Sequence, residues 1–176
     1  MTTEEILEAI KDIPSNVADL DSYLHVKYLS NLPNTPLILD FGTGWGKLVI
    51  SIALACPQAD IYTFDPGTPY QDYEPKVRKI LDDHLGKDLH FEINNSFTHQ
   101  WDKLLDVLSI DSDHTYETTK FELEKYVPFV KSNGLILLHD YNVERVGVAK
   151  ATDEYFDKVP AVFLETKGFT TVIQKL

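Results

Sequence analysis

The sequence predicts an α/β fold with a doubly wound, mostly parallel seven-stranded sheet that ends in a C-terminal antiparallel hairpin. Short apolar runs alternate with segments of helical spacing, which is the pattern of a parallel sheet covered by helices. Only residues 166–168 join the last two runs, too short a connection for a crossover, so these two strands must pair antiparallel. A length of 176 residues, of which 43% are hydrophobic, suits one domain with a two-sided core.

Two helical segments precede the first strand. In residues 4–12 the apolar side chains of Ile6, Leu7 and Ile10 recur with helical spacing, and residues 18–32 form a second such segment. We expect both helices to cap the sheet or to shield a ligand.

Strands and helices then alternate through the central part of the chain. Apolar runs predict strands at 37–41, 60–65, 89–93 and 107–110, and the segments between them predict helices at 46–56, 75–85 and 99–104. A long helix at 116–130 should be closed by Asn133-Gly134 in a left-handed cap, ahead of a strand at 135–138.

The C-terminal part supplies one more helix and the hairpin. A helix is predicted at 147–158, with Pro160 marking its end, and strands are predicted at 161–165 and 169–175.

The charge of the chain disfavours a nucleic-acid partner. Sixteen basic and 28 acidic residues give a net charge of −12, which repels a phosphate backbone at long range. The apolar stretch at 48–56 is far too short to span a membrane and the first five residues are acidic, so we expect a cytoplasmic protein. The lone Cys56 cannot form an internal disulfide.

The most informative segment is a glycine-rich turn at 40–46, which reads Asp-Phe-Gly-Thr-Gly-Trp-Gly. An acid ends the first strand, and three glycines then let a ligand lie against the main chain at positive φ. One helix later the second strand ends at Asp65, whose carboxylate could accept hydrogen bonds from two ribose hydroxyls. This order of elements is typical of nucleotide-binding proteins.

The spacing of the glycines distinguishes between the known classes of nucleotide-binding motif. A dinucleotide fingerprint needs Gly-x-Gly-x-x-Gly, but residue 47 is Lys, and a P-loop needs Ser or Thr where Leu48 stands. The Asp-x-Gly-x-Gly-x-Gly pattern instead resembles the first motif of class I S-adenosylmethionine (SAM) dependent methyltransferases, which have a Rossmann-like fold. An ordinary strand-to-helix turn is the remaining alternative.

Polar residues also follow the other predicted strands. The carboxyl ends of parallel strands meet at one edge of a sheet, where Asp40 and Asp65 should be joined by residues 94–96, Asp111 and His139-Asp140. Carboxylates that converge there repel each other, and a cation would offset the repulsion. The sulfonium of SAM is one such cation and a divalent metal is another.

Two later segments extend the resemblance. Residues 110–117 read Ile-Asp-Ser-Asp-His-Thr-Tyr-Glu and residues 134–141 read Gly-Leu-Ile-Leu-Leu-His-Asp-Tyr. They resemble methyltransferase family 24, with its Ile-Asp-Gly-x-His-x-Tyr-Glu and Gly-Gly-x-Ile-x-x-His-Asp motifs, over roughly residues 35–145. The resemblance implies that SAM is the cofactor and that its binding residues are Asp40, Gly42, Gly44, Gly46, Asp65, Asn95, Ser96, Asp111 and His114.

The resemblance also raises the question of a metal. Related O-methyltransferases place a divalent metal on carboxylates after the fourth and fifth strands, and the matching residues here are Asp111 and Asp140. Tyr141 and His139 stand where those enzymes carry a third ligand, and imidazole suits zinc, iron, nickel or manganese better than magnesium. Either the metal differs, or there is none and His139 is the general base, with Asp140 as its catalytic partner.

The resemblance implies a SAM-dependent methyltransferase that acts on a small-molecule acceptor, at oxygen, by in-line displacement. One alternative is a non-catalytic SAM-binding or regulatory protein of the same fold, and another is a dehydrogenase-type nucleotide enzyme, which the glycine spacing disfavours. We divide the single domain into an N-terminal helical cap at 1–34, a cofactor-binding core at 35–145 and a C-terminal helix and hairpin at 146–176. A homodimer could complete the pocket of so short a chain.

Overall fold

The computed structural model describes residues 1–13, 19–32, 34–66, 70–86, 89–142 and 146–176, with the backbone alone for 19–21 and 70–74. Its helices are α1 (Thr3–Ile10), α2 (Asp19–Leu29), α3 (Lys47–Ala55), α4 (Tyr70–Leu85), α5 (Tyr116–Tyr126) and α6 (Val146–Phe156). Its strands are β1 (Leu37–Phe41), β2 (Asp60–Asp65), β3 (His90–Ile93), β4 (Leu105–Ile110), β5 (Val130–Leu138), β6 (Ala161–Lys167) and β7 (Thr170–Lys175).

The strands form one seven-stranded sheet in the order β3-β2-β1-β4-β5-β7-β6. Strands β1 to β5 pair in parallel, whereas β7 is antiparallel to both β5 and β6. The predicted mostly parallel sheet with its terminal hairpin is therefore confirmed. The strand order reverses between β1 and β4, and the crevice at such a point is where ligands bind in open α/β sheets.

The two N-terminal helices cover α3. A capping box starts α1, because the Thr2 hydroxyl accepts from the Glu5 N–H while the Glu5 carboxylate accepts from the Thr2 N–H. Ile6 and Ile10 of α1 are buried in the same cluster as the apolar side chains of α3, and α2 packs on α3 as well. None of the described helices is long and apolar enough to cross a membrane.

The predicted helix at 99–104 is wrong. Residues 96–98 form a turn, and the following segment reaches β4 without regular structure. Side chains of α5 hold this loop instead: Lys125 Nζ donates to the carbonyl oxygens of Ser96 and His99, and the Tyr126 hydroxyl donates to that of Ser96 at 2.6 Å. Backbone carbonyls that bind such long-range donors do not need a local helix.

The predicted end of the long helix is also wrong. Helix α5 ends at Tyr126, and a short 3₁₀ turn at Val127–Phe129 leads into β5. Pro128 has no N–H to continue the α-helical ladder, which accounts for the earlier end. Asn133, with φ of 65°, lies inside β5 rather than in a helix cap, next to a register shift between β4 and β5.

Candidate functional site

The glycine turn packs between the ends of β2 and β4. The Gly42 N–H donates to the Phe64 carbonyl at 2.9 Å, and the Asp111 N–H donates to the Phe41 carbonyl at 2.8 Å. Gly42 has a φ of +99°, and a Cβ built on it would lie 1.9 Å from the carbonyl oxygen of Asp111. Only glycine fits this position, and the exposed main chain beyond it forms one wall of a cavity.

Asp65 ties the end of β2 to the same turn. Its Oδ2 accepts from the Gly44 N–H at 2.9 Å, and only 5% of the residue is exposed. Asp65 lines the cavity, as the strand-end argument predicts. The side chain thus both fixes the turn and forms part of the cavity wall.

Asp40 lies beneath the turn and does not line the cavity. It is 1% exposed, and its Oδ2 accepts from the Thr63 hydroxyl at 2.8 Å, which in turn is bonded to the Thr43 hydroxyl. Burial raises the pKa of Asp40 to about 6, although the hydroxyls of Ser109 and Thr63 oppose the shift. The structure therefore places Asp40 as a support of the turn.

The raised pKa of Asp40 should appear as a pH-dependent stability. A buried carboxyl that is neutral when folded stabilises the fold fully below 3.8, its unfolded pKa, and this contribution is lost as the pH rises through about 6. Relative to Asp40→Asn, the wild-type free energy of unfolding should fall by about 2 kcal/mol between pH 4 and pH 7. Urea denaturation of both proteins over this range measures the difference, and a difference independent of pH would contradict the assignment.

The cavity at the carboxyl edge of the sheet has a volume of about 660 Å³, within the range of small-molecule sites. Nine of the predicted residues lie along it, while Asp40 and Gly46, the residue before α3, do not. The predicted residues that line it are Gly42, Gly44, Asp65, Asn95, Ser96, Asp111, His114, His139 and Asp140.

An acid–histidine cluster, formed by Asp111, His114, His139 and Asp140, closes one end of the cavity. His139 Nδ1 lies 2.9 Å from Asp111 Oδ1, and His114 Nδ1 lies 3.1 Å from Asp140 Oδ2. The cross distances are longer, at 3.6 Å from His139 Nδ1 to Asp140 Oδ1 and 3.9 Å from His114 Nδ1 to Asp111 Oδ1. Burial raises the pKa of Asp111, although the hydrogen bond and charge of His139 oppose the rise.

The pairing inside the cluster differs from the predicted one. We expected Asp140 to be the partner of His139, but the shorter contact of His139 is to Asp111, and Asp140 lies closer to His114. His114 and Asp140 have φ values of 62° and 58°, a left-handed conformation that costs energy in residues other than glycine. The side chain of His114 is 28% exposed and that of His139 only 6%.

The sequence did not single out several other residues of the cavity wall. Phe97 follows β3, and Phe169 lies in the hairpin turn between β6 and β7. Ser112 precedes α5, and Glu122 lies in the middle of this helix. Glu122 lies four residues after Thr118, which also lines the cavity, and this helical spacing was the available signal. Phe169 carries no comparable signal, because its position depends on how the hairpin folds over the sheet.

Taken together, a glycine turn, an acid ending the second strand and a cavity at the reversal of strand order are the features of a class I methyltransferase fold. A family model described as a methyltransferase domain matches residues 39–141, more than half of the chain. The chain belongs to this family, methyltransferase family 24, whose members use SAM.

Several solved structures of other proteins share this fold. A protein from Staphylococcus aureus named as a caffeoyl-CoA O-methyltransferase is 20% identical, with a TM-score of 0.68 over 100% of this chain and 93% of that chain. A protein from Clostridium thermocellum named as an rRNA methylase is 13% identical, with a TM-score of 0.67 over 91% and 98%. A protein from Streptococcus mutans named as a methyltransferase, in complex with S-adenosylhomocysteine (SAH), is 14% identical, with a TM-score of 0.64 over 87% of this chain and 96% of that chain. At these identities the likeness shows the fold alone, and no curated protein sequence matches the chain.

Proposed function

We propose that the chain transfers the methyl group of SAM to a hydroxyl oxygen of a small acceptor molecule. One observation carries the proposal: the glycine turn with Asp65 and the acid–histidine cluster line the same cavity of about 660 Å³. The cavity wall that we assign to the methyl donor SAM and the groups that can accept a proton therefore line one cavity, in which SAM and an acceptor molecule would bind together.

The donor side of the cavity fits SAM. The bare main chain at Gly42 and Gly44 leaves room for the methionine part, and the Asp65 carboxylate is placed to accept from the ribose hydroxyls. Asn95 and Ser96 lie in the loop after β3, where the base is expected, and the carboxylates of the cluster complement the sulfonium charge. The roles of these residues rest on their placement along one cavity.

On the acceptor side, the proposed reaction needs a proton acceptor. The acceptor oxygen attacks the methyl carbon in line, a carbon–oxygen bond forms as the carbon–sulfur bond breaks, and the products are a methyl ether and SAH. The hydroxyl proton passes to the cluster, where Asp111 orients His139 and Asp140 orients His114. We propose His139, oriented by Asp111, as the proton acceptor, and Asp140, the second predicted catalytic residue, as the group that orients His114.

Replacing His139 by glutamine should lower kcat for methyl transfer by about 100-fold and leave the Kd for SAH unchanged, because the loss concerns proton transfer and not donor binding. SAH release is measured with the best hydroxyl acceptor from a metabolite screen. The matched control is His90→Gln, since His90 is an exposed residue of β3 that pairs with Asp60 outside the cavity. Equal kcat values in wild type and His139→Gln would exclude His139 from catalysis.

The spacing of the donor atoms favours a second role for the same cluster, as a metal site. Ligands about 2.1 Å from one metal lie roughly 3.0 to 3.5 Å apart, and the four contacts in the cluster range from 2.9 to 3.9 Å. Among the described residues the donor atoms of Asp111, His114 and His139 lie within 4.8 Å of one another, a set that suits a transition metal, whereas the predicted ligand Asp140 does not belong to this group. Such a metal would lower the pKa of a bound acceptor hydroxyl.

Chelation separates the two roles of the cluster. If a metal is required, dialysis against EDTA should abolish methyl transfer, and added Mn²⁺ or Zn²⁺ should restore it. Undiminished transfer after chelation would eliminate the metal and leave the histidines as the proton acceptors.

A small acceptor is proposed in preference to a nucleic acid on electrostatic grounds. The net charge is −12, and Lys47 is the single lysine or arginine among the described residues that line the cavity. An rRNA fragment belongs in the acceptor screen, because one structural neighbour is named as an rRNA methylase. Tight SAH binding without transfer to any acceptor would favour the alternative of a SAM-binding regulatory protein. A homodimer and a cytoplasmic location stay predictions, and light scattering tests the first.

A further inference from the structure

Glu122 is a buried carboxyl in the cavity wall that the proposed methyl transfer does not use. It lies in the middle of α5, is 0% exposed, and lines the cavity. Its Oε2 accepts from the Ser112 hydroxyl at 2.8 Å, whereas its Oε1 has no hydrogen-bond partner among the described residues. No described lysine, arginine or histidine forms an ion pair with it. A buried carboxyl oxygen without a partner is costly unless a ligand supplies a donor.

The position of Glu122 assigns it to one end of the cavity. Helix α5 holds the loop after β3, because Lys125 and Tyr126 both donate to the carbonyl oxygen of Ser96. Glu122, one turn earlier on the same helix, therefore faces the space between this loop and Ser112 at the end of β4. The acid–histidine cluster lies at the ends of β4 and β5, and its Asp111 directly precedes Ser112 in the chain.

The proposed placement of SAM puts its adenine base at the end of the cavity where Glu122 lies. If the ribose is bound by Asp65 at the end of β2 and the sulfonium lies at the cluster, the base must extend toward the loop after β3. There the side-chain oxygen of Asn95 is already occupied, since it accepts from the N–H groups of Phe97 and Thr98 at 3.1 Å each. Glu122 Oε1 is then a buried acceptor at this end of the cavity to which no described residue forms a hydrogen bond, although the Ser96 hydroxyl lies close enough to lower the pKa of the carboxyl.

We infer that Glu122 recognises the adenine of the donor by accepting a hydrogen bond from its exocyclic amine through Oε1. The inference rests on the proposed function and names the residue that selects the base. Burial also raises the pKa of Glu122 to about 7, with nearby Asp113 adding to the rise and the hydroxyls of Ser96 and Ser112 opposing it. This agrees with a carboxyl for which the protein supplies no cation. Above this pKa the carboxylate has only acceptors, so a base with a 6-oxo group in place of the amine would face it with an acceptor instead of a donor.

Calorimetry with two matched ligands tests the inference. SAH carries the amine, and S-inosylhomocysteine carries an oxygen at the same position. At pH 8.5, where the carboxyl of Glu122 is ionised, wild type should bind SAH about 10- to 100-fold more tightly, because the 6-oxo ligand leaves the buried acceptor unpaired. Glu122→Gln should narrow or reverse this preference, since a carboxamide can donate to the 6-oxo group. Glu124→Gln, an exposed neighbour on the same helix, should keep the wild-type preference.

The outcomes are distinguishable. Equal preference for SAH in wild type and folded Glu122→Gln would overturn the role of Glu122 while the proposed function stands. Equal binding of the two ligands by wild type would overturn it without any variant, so that the test survives if Glu122→Gln fails to fold. Absence of SAH binding to wild type would overturn the proposed function and this inference with it.

Discussion

Replacing Gly42 by alanine should abolish SAH binding and lower the free energy of unfolding by about 3 to 4 kcal/mol. The new Cβ would lie 1.9 Å from the carbonyl oxygen of Asp111, and the residue would have to keep a φ of +99°. To relieve this clash, the glycine turn has to move away from the end of β4. The contact between the turn and β4 shapes the cavity wall that is proposed to bind SAM. Urea denaturation and calorimetry with SAH measure the two effects.

Gly86→Ala is the matched control for this substitution. Gly86 also has a positive φ, of +58°, but a Cβ there would meet no atom within 4 Å among the described residues outside its own chain neighbours. Its replacement should cost only the backbone strain of about 1 kcal/mol and leave SAH binding unchanged. If Gly42→Ala behaves like Gly86→Ala in both measurements, the turn does not form the cavity wall that binds SAM.

Replacing Asp65 by alanine should weaken SAH binding by about 100-fold or more, because hydrogen bonds from the ribose to a charged acceptor are lost. The same change removes the acceptor of the Gly44 N–H, so that the turn itself loosens. Calorimetry at constant ionic strength gives the affinity, and circular dichroism shows whether the variant is folded.

Asp65→Asn separates the two contributions of this side chain. The amide oxygen can still accept from the Gly44 N–H, while the charge and one acceptor are lost. We expect an affinity between those of wild type and Asp65→Ala. Unchanged SAH affinity in Asp65→Ala would show that the carboxylate at the end of β2 does not bind the ribose.

The fold could be predicted because its signals are local. The alternation of apolar runs with helical spacing gave seven strands, and the short connection at 166–168 required the antiparallel hairpin, which the sheet order confirms. The errors arose where distant groups decide the local structure. Lys125 and Tyr126 hold the loop before β4 without a helix, and Pro128 ends α5 early.

The site was predictable in part for a similar reason. Parallel strands bring their carboxyl ends together, so Asp65, Asp111 and His139 could be expected along one edge, and all three line the cavity. The partner of each histidine could not be predicted, because it depends on the left-handed backbone of His114 and Asp140. The functional roles of these residues stay predictions until ligand binding is measured.

Calorimetric titration of the wild-type protein with SAH, and in parallel with NAD, tests the central claim most directly. The glycine spacing and the cavity at the switch point predict saturable binding of SAH, one molecule per chain, and none of NAD. Binding of NAD without binding of SAH would contradict the account.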